Sequence, residues 1–409
     1  MSLLYLYNIL KFKKWELLFI LTSLICAKWF TMVTFRADMN YYTELHKCPA
    51  CYGVSACNYI HKVDVVLHDF YSAFAYIFGI KNVFVGNLNG SKVIIKKLAH
   101  SSELHEFDKM LCENIELQLC GKSSEKTDKR IDVDFYELIK KQATLDFVQD
   151  NFSRLRVCPN VRHLHNLLQH VYVNNKNLDP KILNINIWTL MILNPEPLVL
   201  QILSADNGWP VPKYLGACGR IVLEEYVGSP LTTYYHEPWL LRAKIASSLL
   251  DAAYMFTYKN NDFGFYLTDV SADNIAVDSN NNVKFVDLEN IIVVDRNITP
   301  EERPIEWNQL QENTENFNCL GCLAFSSTEI CSHRISDHNY YAICKILLAS
   351  DINDGVLPGG LLHDIPTYIL QKHSNIQYLI QQCTIPEVPY TRINAGMQLK
   401  LLLDTIIHE

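Results

Sequence analysis

Asp269 precedes Asn274 by five residues, and Asp287 follows Asn274 by thirteen, at the end of the apolar run Val283 to Val286. One carboxylate at this spacing can accept a hydroxyl proton, while an amide and a second carboxylate reach across a hairpin to metals that bridge phosphates. That is phosphoryl-transfer chemistry, with Asp269 as base and Asn274 and Asp287 as metal ligands. The same three residues would also suit turns on either side of a hairpin, where Asp and Asn are common. Glu289 adds a third carboxylate, either a further metal ligand or a solvated side chain. Upstream, Val93-Ile94-Ile95-Lys96 places a lysine where it could hold the α- and β-phosphates, although an ordinary strand edge has the same look. Between them, Ile221 to Leu231 reads as a strand running into a linker, whose backbone at Glu225 and Tyr226 is free to bond an adenine.

These residues need particular elements to position them. Val83 to Val85 and Lys92 to Leu98 are β-branched runs joined through Gly86-Asn87-Leu88-Asn89-Gly90, a hairpin signal because Asn-Gly tolerates positive φ. Glu103 to Leu119 carries Leu104, Phe107, Leu111 and Ile115 at helical spacing, so Glu103 and Glu106 are the nearest helix carboxylates for Lys96, with Glu113 and Glu116 further along. Val65 to Ile80 has Phe70, Phe74 and Ile77 at helical spacing, and Phe135 to Leu168 shows mixed helical patterning. Gly121 to Arg130 reads as a surface loop, and Asn174 to Asn186 as an insertion or connector. Leu198 to Leu203, Trp209 to Tyr214 and Ile221 to Val227 read as extended segments, and Trp239 to Tyr258 as a long helix with a broad apolar stripe. Asn274 to Val277 and Val283 to Val286 form a hairpin about Asp278 to Asn282, and the C-terminal third is mostly helical. Lysine strand, linker, long helix and Asp–Asn–Asp series occur in the order of a protein kinase. The predicted fold is α+β and bilobal, protein-kinase-like, with a small β-rich N-lobe (81–226, with an insertion) and a helical C-lobe (227–409). A cysteine-rich cap (41–80) and a leader (1–40) precede it.

The 409 residues are 49% hydrophobic and 20% charged, enough to bury a full core, which excludes long disorder and collagen-like repeats. Thirty-six basic against 44 acidic residues give −8, which gives no support for nucleic acid as a partner. Lys11, Lys13 and Lys14 precede an apolar run from Leu17 to Ala27, followed by Lys28. This reads as a signal peptide or a type II membrane anchor, against the alternative of a buried N-terminal helix. The chain has 13 cysteines, of which Cys26 belongs to the leader. In an oxidising lumen the other twelve (Cys48, Cys51, Cys57, Cys112, Cys120, Cys158, Cys218, Cys319, Cys322, Cys331, Cys344 and Cys383) are disulfide candidates. Zinc held by Cys48, Cys51 and Cys57 with His46 or His61 is the competing reading. Asn89, Asn151 and Asn297 begin glycosylation sequons.

The stretch Trp209 to Arg220, the strand Ile221 to Leu231, Asp287-Leu288-Glu289-Asn290 and Asp337 to Cys344 together resemble the divergent protein kinase domain family. Cys48-Pro49-Ala50-Cys51-Tyr52-Gly53 and Gly359 to Asp364 look closest to its deleted-in-autism subgroup. The resemblance runs from about Cys48 to the C-terminus. It implies a kinase-like bilobal protein of the secretory pathway, in the Golgi lumen or membrane or secreted. Its cofactor would be ATP with Mg²⁺ or Mn²⁺, and its partners a nucleotide and a lumenal or secreted protein acceptor phosphorylated on Ser or Thr. Two departures favour the alternative of a weak pseudokinase acting as a secreted ligand or binding module: Leu288-Glu289 replaces Phe-Gly, and Gly86-Asn87-Leu88-Asn89-Gly90, either a phosphate-covering loop or a hairpin turn remote from phosphate, lacks the usual three-glycine spacing. Thr268 stands where an arginine usually precedes the catalytic aspartate, which argues against activation through an Arg-bound phosphorylated loop. A third class, a cysteine-stabilised structural protein of the Golgi membrane, also fits the cysteine count.

Overall fold

A computed structural model describes residues 19–25, 42–65, 82–113, 133–144, 154–312, 323–348 and 359–409. The expected helix Val65 to Ile80, the loop Gly121 to Arg130, Asn151, Cys120, Cys319 and Cys322 lie outside the described residues, apart from Val65, which is in a strand. The chain divides into two compact units, residues 1–121 with 215–226, and residues 122–214 with 227–409. Residues 81–226 are therefore not one lobe. The middle of that span joins the second unit because Leu155–Cys158 hydrogen-bonds in parallel to Ile291–Asp295.

The first unit is a five-stranded sheet ordered Asp64–Val65, Asn82–Leu88, Ser91–Lys97, Ile221–Glu225, Tyr214–Cys218. The hairpin strands are longer than their β-branched cores, because the connection shrinks to Asn89-Gly90, both at positive φ as a two-residue turn demands. Gly86 lies inside a strand, where a Cβ would come within 2.7 Å of Val63. It is a packing glycine rather than part of a phosphate-covering loop. One face of the sheet closes over Val63, Val65, Phe84, Val93, Ile95 and Leu223. The cap is tied to this sheet by Cys57–Cys218, while Cys48–Cys51 closes a tight local turn. These pairings replace the zinc alternative. Arg220, fully buried, donates to Glu44 at 3.1 Å, to the Asp108 carboxylate and to the Ala50 carbonyl at 3.4 Å. Burial pushes the Asp108 carboxyl up, but hydrogen bonds from Arg220 and Lys47 outweigh it and hold its pKa below the usual range. Asp108 lies on the helix Ser101–Glu113, whose buried face is Leu104, Phe107 and Leu111.

The second unit is mainly helical around a three-stranded sheet ordered Leu155–Cys158, Ile291–Asp295, Phe263–Leu267. Trp239–Tyr258 forms the long helix, and Ile275–Val277 pairs antiparallel with Val283–Phe285 about the Asp278 turn. Two expectations fail. The expected connector Asn174 to Asn186 runs instead into the helix Pro180–Leu193, with Asp179 capping the Lys181 and Ile182 amides and apolar residues covering nearly all its faces. Leu198 to Leu203 is not extended. Glu196–Ile202 is a second buried helix, since a short apolar run has no periodicity that separates strand from helix. Cys158–Cys331 fastens the parallel edge strand to the helix Ser327–Ser332, and Cys344–Cys383 fastens the π-helical segment Ile343–Leu348, which continues His338–Ala342, to Ile376–Thr384. Cys112 is also disulfide-bonded. Residues 19–25, inside the apolar run Leu17 to Ala27, are helical. Among the described residues no single helix is long and apolar enough to cross a membrane.

Cys158–Cys331 closes a sequence separation of 173 residues, so its loss releases much denatured-state entropy. The Cys158→Ala/Cys331→Ala pair should lower unfolding free energy by about 2–5 kcal/mol, read as a lower urea midpoint with a steeper slope, because the unlinked denatured chain exposes more surface. A loss below about 0.5 kcal/mol would show that the strand ladder alone holds this edge.

Candidate functional site

In the first unit, Lys96 lies on the sheet face opposite the apolar core, because side chains alternate along Val93-Ile94-Ile95-Lys96 and Ile95 faces inward. Its ammonium sits 3.0 Å from the Glu224 carboxylate, both side chains being buried. The register explains the contact: Ile94 is opposite Glu224 and Lys96 opposite Val222, so Lys96 and Glu224 are diagonal neighbours on one face. Val83 and Val85 share this face and stay 54% and 40% exposed. A buried cation rimmed by exposed valines suits the phosphates and flat base of a nucleotide. Glu103 does not pair with Lys96; its carboxylate accepts from the His100 amide at 2.5 Å and caps its own helix. Glu106 is exposed on that helix. Glu225 ends its strand and Tyr226 follows, with the Lys92 ammonium 5.1 Å above the Tyr226 ring.

In the second unit, Asp269, Asn274, Asp287 and Glu289 are set by two ladders. Phe263–Leu267 runs antiparallel to Ile291–Asp295 with Leu267 opposite Ile291, and the Thr268 amide extends the ladder to the Asn290 carbonyl at 3.2 Å. The hairpin lies inside this closure, with the Val286 amide donating to the Asn274 carbonyl at 2.9 Å. Asp269 is exposed at the start of its loop. The Asn274 side-chain NH₂ reaches back to the Asp269 carbonyl at 3.4 Å, which leaves the Asn274 Oδ1 as an acceptor. That oxygen and the half-buried Asp287 carboxylate are hard donors of the kind Mg²⁺ and Mn²⁺ take. The Glu289 carboxylate accepts from Asn194 Nδ2 at 2.5 Å, so it is not merely a solvated side chain. Asn194 is fully buried at the bend between Pro180–Leu193 and Glu196–Ile202, and its Oδ1 accepts from the Glu196 amide at 3.0 Å.

Two anchoring groups escaped sequence reasoning although their segment did not. His338 holds the Leu267 carbonyl at 2.7 Å, while Asn339 accepts from the Leu267 amide at 3.2 Å and donates to the Phe265 carbonyl at 2.8 Å. Together they fix the strand that delivers Asp269. The Asp337 carboxylate beside them is held by Arg392. Glu224 and Asn194 were missed because their contacts depend on strand register and on a helix bend. Of the sequons, Asn89 stands exposed in the hairpin turn, and Asn297 is exposed with its amide donating to Asp262 at 2.7 Å.

The protein-kinase domain of FAM69 matches residues 187–386, a range that includes Asn194, Asp269, Asn274, Asp287, Glu289 and the 337–339 anchor. The chain is 34% identical to divergent protein kinase domain 2A of Xenopus tropicalis over 385 residues, covering 88% of this chain and 86% of the relative. Identity to the human protein of the same name is 32%, with 88% and 86% covered. Human divergent protein kinase domain 2B is 27% identical, with 64% of this chain and 58% of that protein covered.

Burial pushes the His338 pKa from 6.5 down to about 4, and its Nδ1 has no partner. The ring is thus neutral with its proton on Nε2, toward the Leu267 carbonyl. The folded value lies below the unfolded one, so the stabilisation is complete above about pH 6.5 and is lost as pH falls toward 4, by about 3 kcal/mol in all. His338→Gln keeps a donor for Leu267 but cannot titrate. The variant should be less stable than wild type at pH 7, and the gap between their urea midpoints should narrow by pH 5. A gap independent of pH would contradict the neutral buried ring.

Proposed function

The chain belongs to the divergent protein kinase domain family, and from that membership we propose that it binds ATP with Mg²⁺ or Mn²⁺ and transfers phosphate to Ser or Thr of lumenal or secreted proteins. The observation that carries this reading is the intact Asp269–Asn274–Asp287 series on loops closed by one ladder, with the Asn274 amide bonded to the Asp269 carbonyl. Asp269 accepts the proton of the acceptor hydroxyl, and its exposure leaves it open to an incoming chain. Asn274 and Asp287 hold the divalent cation, with Glu289 fixed beside them as a further carboxylate. The bound cation supplies neutralisation of the phosphate charge during transfer. Lys96, oriented by Glu224, engages the phosphates, and the backbone at Glu225 and Tyr226 meets the adenine edge.

The disulfides and the apolar leader support a secretory-pathway location, Golgi lumen or membrane or secreted, with anchoring through the N-terminal segment as one form of it. A pseudokinase acting as a secreted binding module is the second reading. It is favoured by the two-residue Asn89-Gly90 turn, which leaves little backbone to wrap phosphates.

Thermal shift with a non-hydrolysable ATP analogue and Mg²⁺ or Mn²⁺ tests the first requirement. At about 100-fold excess over Kd, binding should stabilise by about 2.7 kcal/mol. Asp287→Ala and Lys96→Ala should abolish the shift, with Glu224→Gln as a check on folding for the lysine variant. Transfer of labelled phosphate to secreted acceptors should vanish in Asp269→Ala while the shift persists. Binding without transfer in wild type would select a nucleotide-binding pseudokinase, and no shift in wild type would remove the phosphotransferase reading and leave the binding module.

A further inference from the structure

A cavity of about 270 Å³ opens beside Asp269, lined by Arg154, Arg156, Thr268, Asn290 and Phe325 as well as by Asp269 itself. Every lining residue belongs to the second unit. The arginines arrive on the extra parallel strand, Leu155–Cys158, in which Arg156 is opposite Ile292. Alternation turns Leu155 and Val157 into the core, and Arg154 and Arg156 lie on the other side of the strand. The Arg154 carbonyl accepts from the Ile291 amide, so these cations stand at the ladder end where the Asp269 loop departs.

Four other arginines of this unit have structural work. Arg162 pairs with Glu302, Arg242 and Arg296 bond backbone carbonyls, and Arg392 holds Asp337. Arg156 is half-buried and has no hydrogen-bond or ion-pair partner among the described residues. The Arg156 guanidinium therefore enters a small cavity shared with Arg154 and the Asp269 carboxylate with its donors unused. An anion that enters beside it can take them up, since Arg binds carboxylate and phosphate through paired N–H donors.

We propose that this cavity is an acceptor subsite for an acidic peptide. In it, Arg156 with Arg154 binds a carboxylate or phosphate group lying within roughly three residues of the hydroxyl presented to Asp269, at about 3.3–3.6 Å of reach per extended residue. The inference rests on the phosphotransferase reading for the role of Asp269. The anion-binding cavity itself can be tested without nucleotide or turnover.

The test is fluorescence anisotropy with the full chain and three labelled peptides of one sequence, in which a central Ser is flanked by Glu, by Gln or by phosphoserine. The Glu peptide should bind at least about tenfold tighter than the Gln peptide, and Arg156→Gln should reduce that preference to threefold or less. Arg156→Lys should keep an intermediate preference, which guards against a misfolded glutamine variant. Tighter binding of the phosphoserine peptide would identify phosphate as the preferred anion, and parity with Glu a carboxylate. Equal affinity for Glu and Gln peptides in wild type, or a preference untouched in Arg156→Gln, would overturn the subsite. The nucleotide-induced thermal shift should be unchanged in Arg156→Gln. If wild type shows no shift yet the Glu preference depends on Arg156, the phosphotransferase reading fails and the acidic-peptide site stands.

Discussion

The pairing of Phe263–Leu267 with Ile291–Asp295 is the constraint on which the candidate site depends. Both strands are buried along their whole length, so the ladder cannot slip without turning apolar side chains and backbone groups to the wrong side. With Leu267 locked opposite Ile291, the chain between them must leave and return at one end. It does so through a three-residue hairpin ladder, Ile275–Val277 against Val283–Phe285. The loop carrying Asp269 and the loop carrying Asp287 are thereby forced to be neighbours. His338 and Asn339 grip the Leu267 end from one side, and Leu155–Cys158 adds a third strand on the other, fastened by its disulfide.

Buried charge is used differently around Arg220 and around Lys96 in the first unit. Arg220 offers donors to Glu44, Asp108 and the Ala50 carbonyl, joining cap, helix and sheet at one point. Its role is connection, with two partners in the cap and one on the helix Ser101–Glu113. Lys96 and Glu224 join two strands that are already paired along their backbones, so the ion pair adds no new link to the fold. Desolvating two such groups costs several kcal/mol per ion, and an apolar pair of similar size would be at least as stable there. A lysine kept on that face, beside exposed valines, is better explained by what it can bind than by what it stabilises.

Much of this was legible in the residues, for identifiable reasons. The long helix Trp239–Tyr258 and the Asp278 hairpin carry strong local signals, an extended apolar stripe in one and Asn-rich turn chemistry in the other. The catalytic-type spacing survives because it is measured along the chain. What failed depended on tertiary context. Pro180–Leu193 is apolar nearly all round and so lacks the two-faced pattern of a surface helix, although Asp179 and Pro180 marked its start. Glu224 could not be chosen over Glu225 or a helix carboxylate without strand register. Cysteine pairing such as Cys57 with Cys218, 161 residues apart, has no local signature at all.

Leu288-Glu289 bears on how the segment after Asp287 behaves. A glycine there would make the backbone easy to rearrange, whereas Glu289 restricts it and bonds a buried amide. Asn194 is engaged at both ends, since its oxygen also caps the Glu196 helix. Swinging Glu289 away would break a charge-assisted bond to a fully buried amide, at about 1.5–3 kcal/mol. Thr268 removes the arginine through which a phosphorylated loop could act on Asp269. The two substitutions agree: the metal-type carboxylates are held in one arrangement by contacts internal to their own unit. The arginines that line the cavity beside Asp269 stand on and next to the strand Leu155–Cys158, at a sheet edge rather than in the loop that carries the aspartate.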